Sequence, residues 1–275
     1  MIKGKNMTEK QKIEKLKEGK GLFDNKRYED AFSIFKELAE SGYAGAQFMM
    51  GICCAGGLGT AKSDVNAVQW FSKAADQGNA SAQNELGVFY QLGAGVESNL
   101  EKAVELYSLA AEQGNLEAIS HFAFCNQHGL GIEKNIENAV KLYRVAAEAD
   151  HVSSQYQLGL CYHKGQGVQQ DFAAAADWYY KAAIKGDRWA QFHLGFCYYH
   201  GEGVEQDFSK AVEVFKAAAS QGLDEAQYHL AVCVLNGQGT EHNLDIAVGL
   251  LQMAAEQGHG EAQNVLDELK KRGII

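Results

Sequence analysis

The sequence predicts an all-α chain, a solenoid of stacked helix–loop–helix hairpins, and three observations predict it. Gly78, Gly114, Asp150, Gly186, Gly222 and Gly258 fall every 36 residues, with Gly42 one step before them. No residue is gained or lost between those marks, so residues 43–258 read as six copies of one unit in register. Within a unit the apolar residues recur at helical spacing, in two stretches separated by a glycine loop. A fixed period in this range means stacked repeats, each completing its core against its neighbours.

The fourth unit, His151 to Gly186, shows the pattern in full. Its first helix is expected from Ser153 to about Lys164, with Leu158, Gly159 and Tyr162 on one face. Gly165-Gln166-Gly167-Val168 stops it, because glycine takes the left-handed helix-end conformation at little steric cost. Asp171 then starts an alanine-rich second helix that carries Trp178 and Tyr179. The start signal recurs at Ser63, Asn99, Asn135, Asp171, Asp207 and Asn243, all good N-cap residues. Four residues on stands an alanine (Ala67, Ala103, Ala139, Ala175, Ala211, Ala247), small enough to let the two helices approach closely. Four further on comes a bulky knob: Phe71, Tyr107, Tyr143, Tyr179, Phe215 or Leu251.

The string L-G-x-x-Y-x-x-G-x-G-V-x-x-D, then Ala, then Trp or Tyr, then K-A-A-x-x-G, resembles the Sel-one-like repeat, a relative of the tetratricopeptide repeat. Leu86-Gly87 with Tyr90 and Gly93-Ala94-Gly95-Val96, and Leu194-Gly195 with Tyr198 and Gly201-Glu202-Gly203-Val204, match it well. The third unit departs at Ala123 and Asn126, the sixth at Ala231 and Val234. The resemblance covers roughly residues 43–275, in units 43–78, 79–114, 115–150, 151–186, 187–222 and 223–258. It implies a right-handed α/α superhelix whose first helices line an inner groove.

The two ends differ from the units between them. Gly19 to Ala31 is twelve residues where Gly87 to Ala103 is sixteen, so residues 1–41 resemble a tetratricopeptide-type hairpin with a loop four residues shorter. Residues 259–275 supply a first helix only, with Glu261, Asp267, Glu268, Lys270, Lys271 and Arg272 on its outer side, as a solubilising cap needs.

Composition narrows the function. The 275 residues include no proline and no apolar run long enough to cross a membrane. The opening twenty carry seven Lys and three Glu, while the whole chain has a net charge of −10. An acidic body argues against nucleic acid, which requires a basic stripe, and the basic opening reads as a solvated first helix. No apolar leader precedes the repeats, so the expected location is cytoplasmic. Cys53, Cys125, Cys161, Cys197 and Cys233 share one repeat position, about 10 Å apart by helix packing distance, beyond disulfide reach. Cysteine-rich relatives staple each hairpin at positions held here by Ala75/Ala82, Ala111/Ala118 and Ala183/Ala190, so the resemblance implies a reducing compartment.

Three functional readings arise. His121, Cys125, His128 and His193, Cys197, His200 both read H-x3-C-x2-H, which places imidazole and thiolate on one helical face and could hold zinc. The intervening Gln157, Cys161 and Lys164 break any ladder, and drift at two packing positions is the plainer account. Some relatives carry β-lactamase assignments, but Ser72-Lys73 and Ser209-Lys210 lack the S-x-x-K spacing of that chemistry. The glycine loops follow helices rather than strands, and so are turns rather than phosphate loops. The favoured reading is a non-catalytic adaptor, monomeric and without cofactor, that holds a protein or peptide in the groove. The resemblance places the inner face at Tyr156, His163, Lys164, Trp189, Phe192, Phe196, Tyr199, His200 and Tyr228. Trp189, Phe192, Phe196 and Tyr199 form one stripe beside a core face expected at Ala190, Leu194 and Tyr198, and aromatic anchors dominate binding hot spots.

Overall fold

A computed structural model describes residues 7–275. Residues 1–6, including Lys3 and Lys5 of the basic opening and the start of the expected 1–41 hairpin, lie outside the described residues. The described residues form helices and turns only, in two compact units, Met1–Asn135 and Ile136–Ile275. No helix among them is long and apolar enough to cross a membrane.

The first unit holds α1 (Glu9–Asp24), α2 (Tyr28–Glu40), α3 (Ala44–Gly56), α4 (Asp64–Ala75), α5 (Ala80–Leu92), α6 (Leu100–Glu112) and α7 (Leu116–His128). Each helix packs on the next one along the chain. Thr8 opens α1 through a capping box with Gln11, and Ser63 and Asn99 cap α4 and α6 by accepting the backbone N–H of Asn66 and Lys102. Asn79 and Asn115 cap α5 and α7 in the same way.

The second unit holds α8 (Ile136–Glu148), α9 (Val152–Lys164), α10 (Phe172–Ala183), α11 (Arg188–His200), α12 (Phe208–Ser220), α13 (Asp224–Asn236), α14 (Leu244–Glu256) and α15 (Gly260–Lys271). Successive helices again pack together. Asp171, Asp207 and Asn243 cap the second helices α10, α12 and α14. Two first helices start on histidine: the Nδ1 atoms of His151 and His259 accept the backbone N–H of Ser154 and Ala262.

Three devices repeat through both units. In the first, second, fourth and fifth repeats the knob of the second helix sits over the glycine of its own first helix. A methyl on Gly159 would lie 2.7 Å from the Tyr179 ring, and one on Gly195 would lie 2.6 Å from Phe215. In the sixth unit Ala231 replaces the glycine and the smaller Leu251 replaces the ring, and both are fully buried. The first loop glycine closes its helix in the left-handed conformation, as Gly165 does at φ 64°. The second loop glycine touches backbone: a methyl on Gly167 would meet the Ile136 carbonyl at 2.7 Å, so this position docks one hairpin on the hairpin before it.

The third device is a glutamine clasp. Gln155, Gln191 and Gln227 each donate Nε2 to a carbonyl eight residues back, at the end of the preceding second helix (Ala147, Ala183 and Ala219). Their Oε1 atoms accept in turn from Lys185, Gln221 and Gln257, thirty residues on. Gln47 with Gln77 and Gln83 with Gln113 repeat the pattern in the first unit. Gln155 and Gln227 are 1% exposed, so each clasp satisfies a polar group that would otherwise be buried unpaired.

Candidate functional site

The expected inner-face residues of the second unit lie on α9, α11 and α13, and ring contacts join most of them. Tyr156 on α9 packs 5.7 Å from His193, which lies 5.2 Å from its chain neighbour Phe192. Phe192 reaches His229 on α13 at 5.4 Å, and His229 touches Phe196 and Tyr228. Phe196 lies 4.2 Å from His200, which in turn meets Tyr199 at 4.9 Å. Tyr228 stacks on His259 at 4.7 Å. His163 lies 6.3 Å from His193, and Lys164 follows it at the exposed end of α9.

The stripe is not free of the scaffold. Trp189, Phe192 and Tyr199 are half-buried against the core of α12 and α13, as is Tyr198, which was expected to face the core alone. The Tyr199 hydroxyl donates to Gln238 Oε1 at 3.0 Å, and its ring meets Phe208 edge-on. His200 is exposed, while Phe196 keeps partial exposure. Each of these aromatics is thus tied into the hairpin stack and keeps partial exposure.

The electrostatics follow from burial. His163 Nε2 lies 3.1 Å from Glu202 Oε2, and its Nδ1 lies 3.3 Å from the Tyr179 hydroxyl. Burial, then His163 and Lys164, push the His193 imidazole down to about 4. Burial also lowers His229, and it raises the Tyr156 phenol to about 12, with Asp187 and Glu225 adding to the shift.

The side chains of the two His/Cys triplets are drawn into ring and core contacts. Cys125 and Cys197 are buried in the hairpin cores, and burial raises their thiols to about 11 and about 12. His193 lies flat on Tyr179, whereas His128 and His200 lie against Phe124 and Phe196. His121 Nδ1 is 2.9 Å from Asn84 Oδ1. Among the described residues no group of three His, Cys, Asp or Glu is placed to hold a metal. Spacing along one helix aligns the three side chains, but the middle one turns into the core.

Sequence reasoning missed what these histidines do. His193 stacks on Tyr179 at 5.2 Å and 20°, and His229 stacks on Phe215 at 5.6 Å and 22°. His121 meets Tyr107 at 4.9 Å. Each is the residue before the Leu-Gly position and lies on the knob of the preceding hairpin. The signal was present as a column reading Glu85, His121, Gln157, His193, His229, legible only once the knob is known to face it.

A separate groove of about 400 Å³ runs between α10 and α12 over α11, lined by Tyr180, Ile184, Leu194, Tyr198 and Val214. It contains none of the expected inner-face residues. The groove at the same repeat positions in the first unit, about 530 Å³, has Ser72 and Asp76 where this one has Tyr180 and Ile184.

The Sel1 repeat family model matches residues 44–79, 80–115, 118–151, 152–187, 190–223 and 224–259. Among solved structures, the chain is similar to a protective antigen present in uropathogenic Escherichia coli strains displaying an SLR fold. The two are 31% identical with a TM-score of 0.82, over 98% of this chain and 60% of that one. This chain thus spans less than two thirds of that antigen's length. It is also similar to a Sel1 repeat protein from Oxalobacter formigenes, 34% identical with a TM-score of 0.79, over 87% of this chain and 96% of that one. No curated protein matches it.

Proposed function

The chain belongs to the Sel1 repeat family, and from that premise we propose that it is a non-catalytic adaptor gripping a protein or peptide on the inner face of α9, α11 and α13. The observation that carries this reading is the connected ring set from Tyr156 through Phe192 and Phe196 to Tyr199 and Tyr228. Rings held by packing while keeping partial exposure offer aromatic surface at little conformational cost, as anchor residues do. Equivalent first-unit positions are plainer: Ser81, Asn84, Val88 and Gln91 on α5. A hydrolase reading has less support, because Lys73 lies 4.1 Å over Trp70 and Lys210 pairs with Asp207 at 3.3 Å, each engaged away from its neighbouring serine. Six buried free thiols suit a reducing compartment such as the cytoplasm.

The test is quantitative affinity capture followed by mass spectrometry with wild type, Trp189→Ala/Tyr199→Ala and Phe48→Ala. A specific partner should be held by wild type and by Phe48→Ala, and lost at least tenfold from the double variant, about 1.4 kcal/mol or more of binding. Equal capture by the double variant, shown by circular dichroism to be folded, would move the grip elsewhere.

A further inference from the structure

Two imidazoles are packed into the ring cluster of the inner face. His193 packs on the knob Tyr179 and on the stripe residues Tyr156 and Phe192. His229 packs on the knob Phe215 and on the stripe residues Phe192, Phe196 and Tyr228. Both stack flat on a knob, and Tyr156 and Phe192 also touch the knobs Tyr179 and Phe215 themselves, so each imidazole is one member of a closed ring cluster. We propose that this face is an acid-released grip, ordered while His193 and His229 are neutral and loosened when they take protons. The proposal rests on the reading of that face as the partner site, and it adds the regulation.

The surroundings fix the direction. His193 is faced from α9 by Tyr156, His163 and Lys164 and from α10 by Tyr179. The nearby carboxylate, Glu202, is engaged by His163. His229 is faced from α11 by His200 and from the start of α15 by His259 and Glu261, with Tyr228 beside it and the uncharged Phe215 beneath. A proton on His193 therefore enters a buried site already flanked by basic groups. No carboxylate is among the causes shifting it.

The sign follows from which state takes the proton. In the closed face the His193 imidazole is held down to about 4, against an ordinary 6.5 once opened to water. Above 6.5 neither state is protonated and the closed face has its full stability. As the pH falls from 6.5 toward 4 the open state binds the proton first, and opening grows about tenfold per pH unit. At pH 5 that is roughly 30-fold for His193 alone, and the lowered His229 acts in the same direction.

Hydrogen–deuterium exchange of the full chain at pH 7.5 and pH 5.0, corrected for intrinsic exchange, tests this without any partner. Protection in α11 and α13 should fall roughly 30-fold or more at pH 5.0, while α3 and α5 keep theirs. His193→Gln/His229→Gln should remove the difference; Gln157 holds the equivalent position one hairpin earlier, so glutamine suits the column. Unchanged wild-type protection, an equal fall in α3 and α5, or a fall that persists in the variant overturns the proposal. Should the variant not fold, imidazole carbon shifts of the wild type decide it. Rings neutral at pH 5.0 in the folded chain support the proposal, and rings titrating near 6.5 defeat it. These outcomes are independent of partner capture, so failure of the acid response leaves the adaptor reading standing, and the reverse also holds.

Discussion

At the scale of single residues, the glycines of the first and second helices make opposite predictions. Gly195 lies under Phe215, which is fully buried and stacked on His229, and an added methyl would lie 2.6 Å from that ring and 3.1 Å from Val214. Gly195→Ala should destabilise the chain by about 1–3 kcal/mol through overpacking. Gly249, inside α14, has nothing within 4 Å of an added methyl, so Gly249→Ala should stabilise by about 0.5–1 kcal/mol through reduced backbone freedom. Urea titration of both variants checks the pair, and shifts of the same sign would contradict the assigned packing. The Leu-Gly motif was visible in the sequence, but its cause was not. Sequence reading gave the close approach to Ala175 and its equivalents, and only the structure shows the ring lying on Gly159.

At the scale of elements, caps and loops were legible because they act within a few residues. Ser63, Asn99, Asp171, Asp207 and Asn243 cap as their chemistry predicts. The glutamine clasps were not legible, since their two halves stand thirty residues apart and a buried glutamine carries no local signal. The same distance hid the stacking of His193 and His229, which depends on knobs in the preceding hairpin. The clasps join hairpins, so their loss should destabilise the stack. Gln227→Ala removes the donor to the Ala219 carbonyl and one of the two acceptors of the Gln257 amide, the other being the Met253 carbonyl, at a cost of about 1–3 kcal/mol. The sequence contains its own remedy: at the one repeat where the acceptor position is apolar, Ile119, the donor position thirty residues on is also apolar, Ala149. Gln227→Ile/Gln257→Ala should therefore recover part of that loss, and a double-mutant cycle in urea measures the coupling. A double variant weaker than the sum of its single changes would show that the clasp is not the unit of stability.

At the scale of the whole molecule, the scaffold and the grip separate by excision of one 36-residue period. Removing residues 187–222 brings Gly239 to Phe172, where Gly203 now docks, and Gln227 to the Ala183 carbonyl that Gln191 now holds. His229 would then lie over Tyr179 in place of His193. Removing residues 79–114 likewise brings Gly131 to Asp64, where Gly95 now docks. The glycine dock is reproduced in either case, and the glutamine clasp in the first only, because Ile119 takes the place of Gln83 at the Ala75 carbonyl in the second. Both shortened chains should still fold cooperatively, each with stability lowered by one hairpin and its interfaces, as nearest-neighbour coupling requires. Their binding should differ. The first excision takes Trp189, Phe192, Phe196 and Tyr199 with it and should abolish capture, whereas the second leaves the aromatic face whole and should retain it. Circular dichroism melts confirm folding, and capture against wild type reads the outcome. If both folded chains hold the partner equally, recognition is a property of the repeat in general, and the aromatic excess on α11 belongs to packing alone.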